Sequence, residues 1–222
     1  MSIVVYKNTR SLDKGFVLTP ERYNPNRKLD ASNSSNCVKL SDVASIVNDI
    51  INPKQFEKYK GKIIIVNTGD AYEGHIKLLG NRDNIWNSNK KLVKPGDVIV
   101  SRLRPYLRQI AYVDHEMFTQ DEDCVCAVST EFYVLRGKKG KNIGFLIPLL
   151  LSEKIQAVFA NAVEGSQHPR FKEDVLLDIT IPDTLFSLGE EMSLNVLNNV
   201  LFIRQYEKNM KESIKNVARY LN

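Results

Sequence analysis

The 222-residue chain has few cysteines and no long apolar segment. Three cysteines, an odd number in a chain of this length, fit no disulfide framework and agree with a reducing compartment. The longest uncharged apolar run covers residues 143–151, contains Gly144 and Pro148, and is far shorter than the roughly 20 residues that span a bilayer. An apolar stretch at residues 3–6 is followed at once by Lys7, which excludes the apolar core of a secretory signal. We therefore expect a cytoplasmic protein with no membrane partner.

Familiar enzyme motifs are also missing. The nearest approach to a phosphate-binding loop, Gly69 to Gly74, continues as His75-Ile76 and lacks the Lys and the hydroxyl that would hold phosphates and Mg²⁺. No acidic residue stands two positions before a lysine, as a metal-dependent nuclease core would require, and neither Asn-Pro pair continues as the Pro-aromatic loop of an amino-methyltransferase. We expect no catalytic residue, no cofactor and no enzymatic activity in this chain.

Cys124 and Cys126 are the one pair of cysteines close together in the sequence. A single residue between them is shorter than the usual zinc-site spacer, and no second cysteine pair exists. Two buried thiols on one face of a strand fit this spacing much better than a zinc site does. We expect no metal site.

Charge, by contrast, is plentiful and unevenly distributed. The chain has 31 Lys and Arg against 26 Asp and Glu, a formal net charge of +5. Six basic residues and one acid lie between Lys90 and Arg108, so this segment carries a charge equal to that of the whole chain. A second basic cluster covers residues 136–141, and an acidic stretch lies between the two. Solvated loops explain either cluster alone, but together they favour contact with phosphate groups.

The apolar pattern predicts an α+β fold, in which a globular mixed sheet with a few helices is followed by one long C-terminal coiled-coil helix. Four consecutive β-branched residues predict a buried strand over residues 62–67, and a Pro95-Gly96 turn leads into a strand over residues 97–102. Helical spacing predicts helices over residues 41–49 and 143–162. Further strands are predicted over residues 109–113, 124–135 and 178–181.

The last 37 residues, from 186 to 222, carry a sustained heptad pattern without proline. The pattern predicts one amphipathic helix, roughly 50 Å long at 1.5 Å per residue, with Arg204 and four further basic residues on a solvated face. Its apolar stripe either folds onto its own domain or pairs with a second helix, and the sustained heptad favours pairing in a homodimer. The expected dimerisation residues are Met192, Val196, Ile203, Met210 and Val217.

Two polar loops at the ends of predicted strands carry the donors that suit DNA. The loop over residues 101–106 combines two guanidinium groups with a tyrosine ring, and the loop over residues 163–172 carries Gln, His, Arg and Lys. Gln can read adenine and Arg can read guanine in a major groove. A solvent-exposed loop explains either alone, but two on one fold favour double-stranded DNA as the partner. The candidate DNA-binding residues are Lys91, Lys94, Ser101, Arg102, Arg104, Tyr106, Arg108, Ser166, Gln167, His168, Arg170 and Lys172.

Four segments carry a family resemblance: Leu40-Ser-Asp-Val-Ala44, Lys94-Pro-Gly-Asp-Val-Ile-Val-Ser-Arg102, Gly165-Ser-Gln-His-Pro-Arg170, and Leu177-Asp-Ile-Thr-Ile-Pro182 ahead of the long helix. In this order they resemble the target recognition domain of type I restriction-modification specificity subunits, over nearly the whole chain. The Pro-Gly-Asp strand entry and the Ile-x-Ile-Pro strand are the more specific of these motifs.

The resemblance implies both an architecture and a set of partners. In that family two such domains occur in tandem, each followed by a long helix, and the two helices pair as an antiparallel spacer. This chain has one domain, over residues 1–184, and one helix, over residues 185–222, so it looks like half of a specificity subunit. The resemblance implies a non-catalytic DNA reader that directs a DNA methyltransferase (modification) subunit, and with it a restriction subunit. The S-adenosylmethionine and ATP chemistry would belong to those partners.

One departure from the family pattern concerns the start of the helix. The family usually follows Ile-Pro with a second Pro and a Glu-Gln pair, whereas Pro182 is followed here by Asp183-Thr184-Leu185-Phe186. This departure supports an alternative from another class, a protein-interaction module. Such a degenerate specificity subunit would act through its C-terminal helix as a decoy or regulator.

Overall fold

Two four-stranded sheets form the centre of the fold in a computed structural model, which describes residues 4–12, 23–27, 36–59, 62–77, 87–118 and 124–221. The strands of the described chain are β1 (Cys37–Lys39), β2 (Ala44–Val47), β3 (Ile50–Ile51), β4 (Ile63–Val66), β5 (Ala71–Tyr72), β6 (His75–Ile76), β7 (Lys90–Val93), β8 (Val98–Ser101), β9 (Ile110–Tyr112), β10 (Val125–Ser129), β11 (Phe132–Gly137) and β12 (Thr180–Pro182). Its α-helices are α1 (Leu40–Val43), α2 (Phe56–Tyr59), α3 (Leu146–Leu151), α4 (Glu153–Asn161), α5 (Glu173–Leu177), α6 (Asp183–Ser187) and α7 (Gly189–Leu221).

The chain passes repeatedly between the two sheets. The central sheet has the strand order β2-β11-β8-β9 and is antiparallel throughout. The second sheet has the order β3-β7-β10-β4, in which only the β10–β4 pair is parallel. The consecutive strands β2 and β3, β7 and β8, and β10 and β11 each step from one sheet to the other. Two smaller antiparallel pairs, β1–β12 and β5–β6, flank them.

The central sheet is covered on both faces, which explains its uninterrupted apolar strands. Val98 and Val100 belong to the larger core, which contains residues of α3, α4 and α5, whereas Ile99 points into a second core shared with β10. A strand buried on both faces has no polar face to alternate with. Cys124 and Cys126 are both buried, as predicted, and burial raises the pKa of the Cys126 thiol.

The predicted strands over residues 62–67, 97–102, 109–113 and 178–181 are confirmed as β4, β8, β9 and β12. The helix predicted over residues 41–49 is wrong beyond Val43, because Ala44–Val47 is extended and pairs with β11. The single strand predicted over residues 124–135 is two strands in different sheets, separated at Thr130 and Glu131. The helix predicted over residues 143–162 is also divided, because Ser152 is extended between α3 and α4.

The long C-terminal helix is confirmed as α7, which begins at Gly189 after the short helix α6. Its first half packs on the domain. A Cβ at Gly144 would lie 3.1 Å from the carbonyl oxygen of Ser193, so glycine permits this close approach. The Ser193 hydroxyl accepts a hydrogen bond from the Phe145 amide at 2.9 Å, and Val200 is buried in the larger core.

Arg204 corrects one expectation about α7. It was expected on a solvated face, but only 5% of its side chain is exposed. Its guanidinium donates to Asp114 and to the carbonyl oxygen of Ile76 inside the protein. The helix is therefore anchored to the domain as far as Arg204. Among the residues that the structure describes, no helix has both the length and the apolar content needed to cross a bilayer.

Candidate nucleic-acid interface

The two polar loops predicted from the sequence lie side by side. Leu103 and Arg170 form an antiparallel β-bridge, and the Arg104 amide donates to the carbonyl oxygen of Pro169 at 2.9 Å. The Phe171 amide donates to the carbonyl oxygen of Arg102 at 3.2 Å. Residues 101–106 and 166–172, called here the paired loops, therefore form one surface at the end of the central sheet where β8 finishes.

The second of the paired loops is anchored to the core by Phe171. This side chain is buried and stacks on Phe159 with a centroid distance of 4.4 Å, while the Tyr133 hydroxyl donates to its carbonyl oxygen at 2.9 Å. Reciprocal backbone hydrogen bonds between Glu164 and Arg170 close the loop, which turns through Gly165 at a φ of +92°. Ser166, Gln167 and His168 are thereby held exposed on a fixed base.

The first of the paired loops leaves β8 through an equally constrained turn. Ser101 is buried, and its hydroxyl donates to the carbonyl oxygen of Leu103 at 3.1 Å. Arg104 and Arg108 both adopt left-handed backbone angles on either side of a 3₁₀ turn that begins with the buried Pro105. The turn leaves the Tyr106 ring 65% exposed, so it is accessible for stacking.

Glu131 connects the arginines of the two paired loops. Its carboxylate accepts from Arg102 Nε at 3.1 Å, from Arg170 Nε at 2.9 Å and from Arg170 Nη2 at 2.8 Å. Hydrogen bonds from Arg170 are the main cause that lowers the pKa of Glu131, and those from Arg102 act in the same direction. The sequence predicted both arginines but not Glu131. A charged residue inside an otherwise apolar run was the available signal for the turn on which it lies.

Three of the other predicted basic residues have partners within the protein. Arg108 lies 2.9 Å from a Glu73 carboxylate oxygen and donates from Nη2 to the carbonyl oxygen of Leu151 at 2.8 Å. Lys172 lies 3.0 Å from Glu164 Oε2. Lys91 is buried, and its ammonium donates to the carbonyl oxygen of Phe132 at 2.8 Å. Burial lowers the pKa of Lys91, and the side chain does not reach the outer face of the paired loops.

The opposite end of the central sheet holds Lys94 and the second basic cluster. Lys94 is exposed in the turn before β8, the far end of that strand from Arg102. Arg136 makes a bidentate ion pair with the buried Asp97 there, at 2.8 and 2.7 Å. Lys138 donates to the carbonyl oxygen of Ser41. The two basic clusters, expected to act together on phosphate, thus lie at opposite ends of the sheet.

Helix α7 also packs at this opposite end, because Asp114 follows β9 where that strand pairs with the start of β8. The predicted dimerisation residues divide into two groups along the helix. Met192 and Val196 pack against the larger core, and Ile203 is partly buried. Met210 and Val217 are 45% and 58% exposed. They belong to an apolar stripe, called here the free stripe, that is exposed on the second half of the helix and comprises Tyr206, Met210, Ile214, Val217 and Tyr220.

No group of three or more His, Cys, Asp or Glu side chains within the described ranges is arranged to hold a metal ion. The surface of the paired loops offers guanidinium, amide, imidazole and phenol groups instead. These groups donate hydrogen bonds and stack on flat rings. Chemically, the surface is suited to reading a polyanion with exposed base edges.

No protein-family model matches the chain, and no curated protein matches it either. Solved structures do match. A chain from work described as the structural basis underlying complex assembly and conformational transition of the type I R-M system is 21% identical, with a TM-score of 0.50. The fold is that of type I restriction-modification specificity subunits. That match covers 82% of this chain and 45% of the other.

The crystal structure of the HsdS subunit from Thermoanaerobacter tengcongensis also matches, at 19% identity and a TM-score of 0.49. It is covered over 46% of its length by 82% of this chain. The chain thus spans less than half the length of either specificity-subunit neighbour.

Proposed function

We propose that the chain is a non-catalytic, sequence-specific reader of double-stranded DNA, which directs a type I methyltransferase and restriction assembly to its target in the cytoplasm. The observation that carries this proposal is the joining of the paired loops into one surface, with Arg102 and Arg170 on either side of Glu131. The structural neighbours support it, since specificity subunits are the non-catalytic DNA-recognition subunits of type I systems.

The paired loops contain both kinds of contact that a DNA reader needs. Arg102, Arg170 and Gln167 are the side chains suited to base edges, because guanidinium and amide groups can each make two hydrogen bonds to one base. Arg104, Ser166, His168 and Lys172 are suited to phosphate oxygens, which fix the register of the protein on the duplex. Tyr106 offers a ring at the edge of this surface. Lys91 and Lys94 are not part of it, given their positions in the fold.

We propose residues 1–184 as the reading unit and residues 185–222 as the assembly unit. The free stripe would pair with the same stripe of a second copy, forming a homodimer. Residues 204 and 210 point about a third of a turn apart on a helix, so the stripe does not compete with the face that packs on the domain. Two identical readers joined in this way would prefer a split, palindromic target. The same helix pair would present the docking face for a methyltransferase subunit.

A protein-interaction module is the second candidate, and one observation favours it. Arg102, Arg108 and Arg170 are all ion-paired within the chain, which reduces the charge that the surface offers to phosphate. A decoy or regulator acting through α7 would need no DNA contact at all.

Salt dependence separates the two candidates. Binding of a fluorescent duplex is titrated from about 50 to 200 mM salt, and self-association is followed over the same range. A reader that neutralises several phosphates loses roughly a thousandfold or more in DNA affinity over this range, whereas apolar helix pairing changes little. Absence of DNA binding at the lowest salt, with association intact, would support the interaction module instead.

A further inference from the structure

Glu131 is an acidic residue in the middle of a surface proposed to bind a polyanion. A surface built only to attract phosphate gains nothing from a carboxylate between its two arginines. We propose that Glu131 is a positioning residue that sets base specificity, by fixing which edge of Arg102 and of Arg170 faces the DNA. This inference rests on the proposed DNA-reading function and adds to it a residue that does not itself contact the bases.

The backbone of Glu131 is held by both sheets. It lies in the turn between β10, which belongs to the second sheet, and β11, which belongs to the central sheet. Its carbonyl oxygen accepts from the Arg102 amide at 3.0 Å, and its own amide donates to Ser129 Oγ at 3.3 Å. Its side chain is only 22% exposed. The carboxylate is therefore a fixed reference point, set on the scaffold rather than on a loop tip.

The hydrogen bonds of Glu131 select among the donors of each guanidinium. Arg170 gives its Nε and Nη2 edge to the carboxylate and donates from Nη1 to the carbonyl oxygen of His168 at 3.1 Å. Three of the five N–H groups of an arginine are thus used within the protein, and two remain for a ligand. A bidentate contact with guanine needs two donors from one edge. With the Nε edge occupied, Arg170 can present only its terminal Nη1–Nη2 edge.

Arg102 is constrained in a similar way. Its Nε donates to the same Oε2 atom that accepts from Arg170 Nε, so one oxygen joins the two side chains. The distance between the two guanidinium groups is consequently set by the carboxylate, and it determines which two base positions they reach together. Without Glu131, each side chain would sample several rotamers and either edge could meet a base.

The test compares wild type with Glu131→Gln and Glu131→Asp. Bound duplexes are selected from a random pool with the wild type, and affinities are then measured for the selected target, for single base-pair variants of it and for a random duplex. Glu131→Gln removes the charge at nearly constant shape, and Glu131→Asp keeps the charge but shortens its reach. The matched control is Glu164→Gln, which removes a carboxylate from the same surface but pairs with Lys172 rather than with an arginine.

We expect both Glu131 variants to lose about tenfold or more in discrimination at the one or two base positions that the arginines read. Affinity of Glu131→Gln for the random duplex should stay equal or rise, because a negative charge is lost. Glu164→Gln should keep the wild-type preference. Unchanged discrimination in both Glu131 variants would overturn the inference. So would an equal loss on every duplex with a lowered Tm, because that result describes a purely structural residue. A wild type without any sequence preference would instead overturn the proposed function itself.

Discussion

Arg204 of helix α7 donates from Nη2 to Asp114 Oδ2 over 2.8 Å, and both side chains are almost wholly buried, at 5% and 0% exposure. The bond joins residues 90 positions apart and fixes the middle of the long helix to the domain. Beyond this point the helix continues with its apolar stripe exposed. The ion pair thus marks where the helix leaves its own domain.

Removal of one partner of this ion pair should be costly. We expect Arg204→Ala to lower the free energy of unfolding by about 3 to 5 kcal/mol, because it leaves the Asp114 carboxylate buried without its counter-charge. Urea denaturation measures the change, and Lys208→Ala, an exposed position one turn further on, should cost less than about 0.5 kcal/mol. Equal and small effects of the two substitutions would show that the helix is not anchored here.

His75 should make the stability depend on pH in this same region. Burial is the main cause that lowers the pKa of His75, Arg204 and Lys77 also lower it, and Glu207 opposes them. Because the folded pKa lies below the unfolded value near 6.5, the histidine costs nothing above that pH and destabilises the fold as the pH falls through the folded value. Denaturation of wild type and His75→Gln between about pH 7.5 and 5 measures this, and parallel curves would contradict it.

Local sequence pattern predicts the elements whose environment is uniform. Strands β4 and β8 are predicted correctly because burial on both faces leaves an uninterrupted apolar run. Strand β2 is not, because its helical spacing is overridden by pairing with β11, almost 90 residues away. The change of sheet at Glu131 is likewise set by distant partners.

The candidate site divides in the same way. The paired loops are predicted from their composition, since guanidinium, amide and ring groups are visible in the sequence. Their joining, and the roles of Glu131 and Arg204, depend on ion pairs across 29 to 90 residues, which no local pattern contains. Lys91 is basic in sequence yet buried in the fold, because its stem lies in the second sheet and its ammonium reaches a backbone carbonyl oxygen.

Substitutions in the paired loops should weaken specific DNA binding. We expect Arg102→Ala or Arg170→Ala to cost about 1 to 3 kcal/mol on the selected target, as expected for loss of one bidentate base contact. Lys94→Ala is the matched control, because it removes one positive charge at the opposite end of β8. Equal losses for all three, measured by fluorescence anisotropy, would mean that charge alone determines binding.

The free stripe should mediate self-association. We expect sedimentation to show a dimer at micromolar concentration, and Met210→Glu with Val217→Glu to convert it to a monomer, because charge at two apolar contacts opposes helix pairing. Lys208→Glu with Lys215→Glu changes the opposite face of the same helix and should leave the dimer intact. A wild-type monomer at micromolar concentration would contradict the proposed assembly.

Sequence-specific reading of DNA is the central claim, and selection of bound duplexes from a random pool tests it most directly. The protein is incubated with the pool at moderate salt, bound duplexes are recovered and amplified over several rounds, and the enriched sequences are compared with random duplexes in direct binding. The account predicts one enriched motif, split and palindromic for the dimer, bound at least a hundredfold more tightly than random sequence. A pool that stays random, with equal affinity for enriched and unselected duplexes, would contradict it.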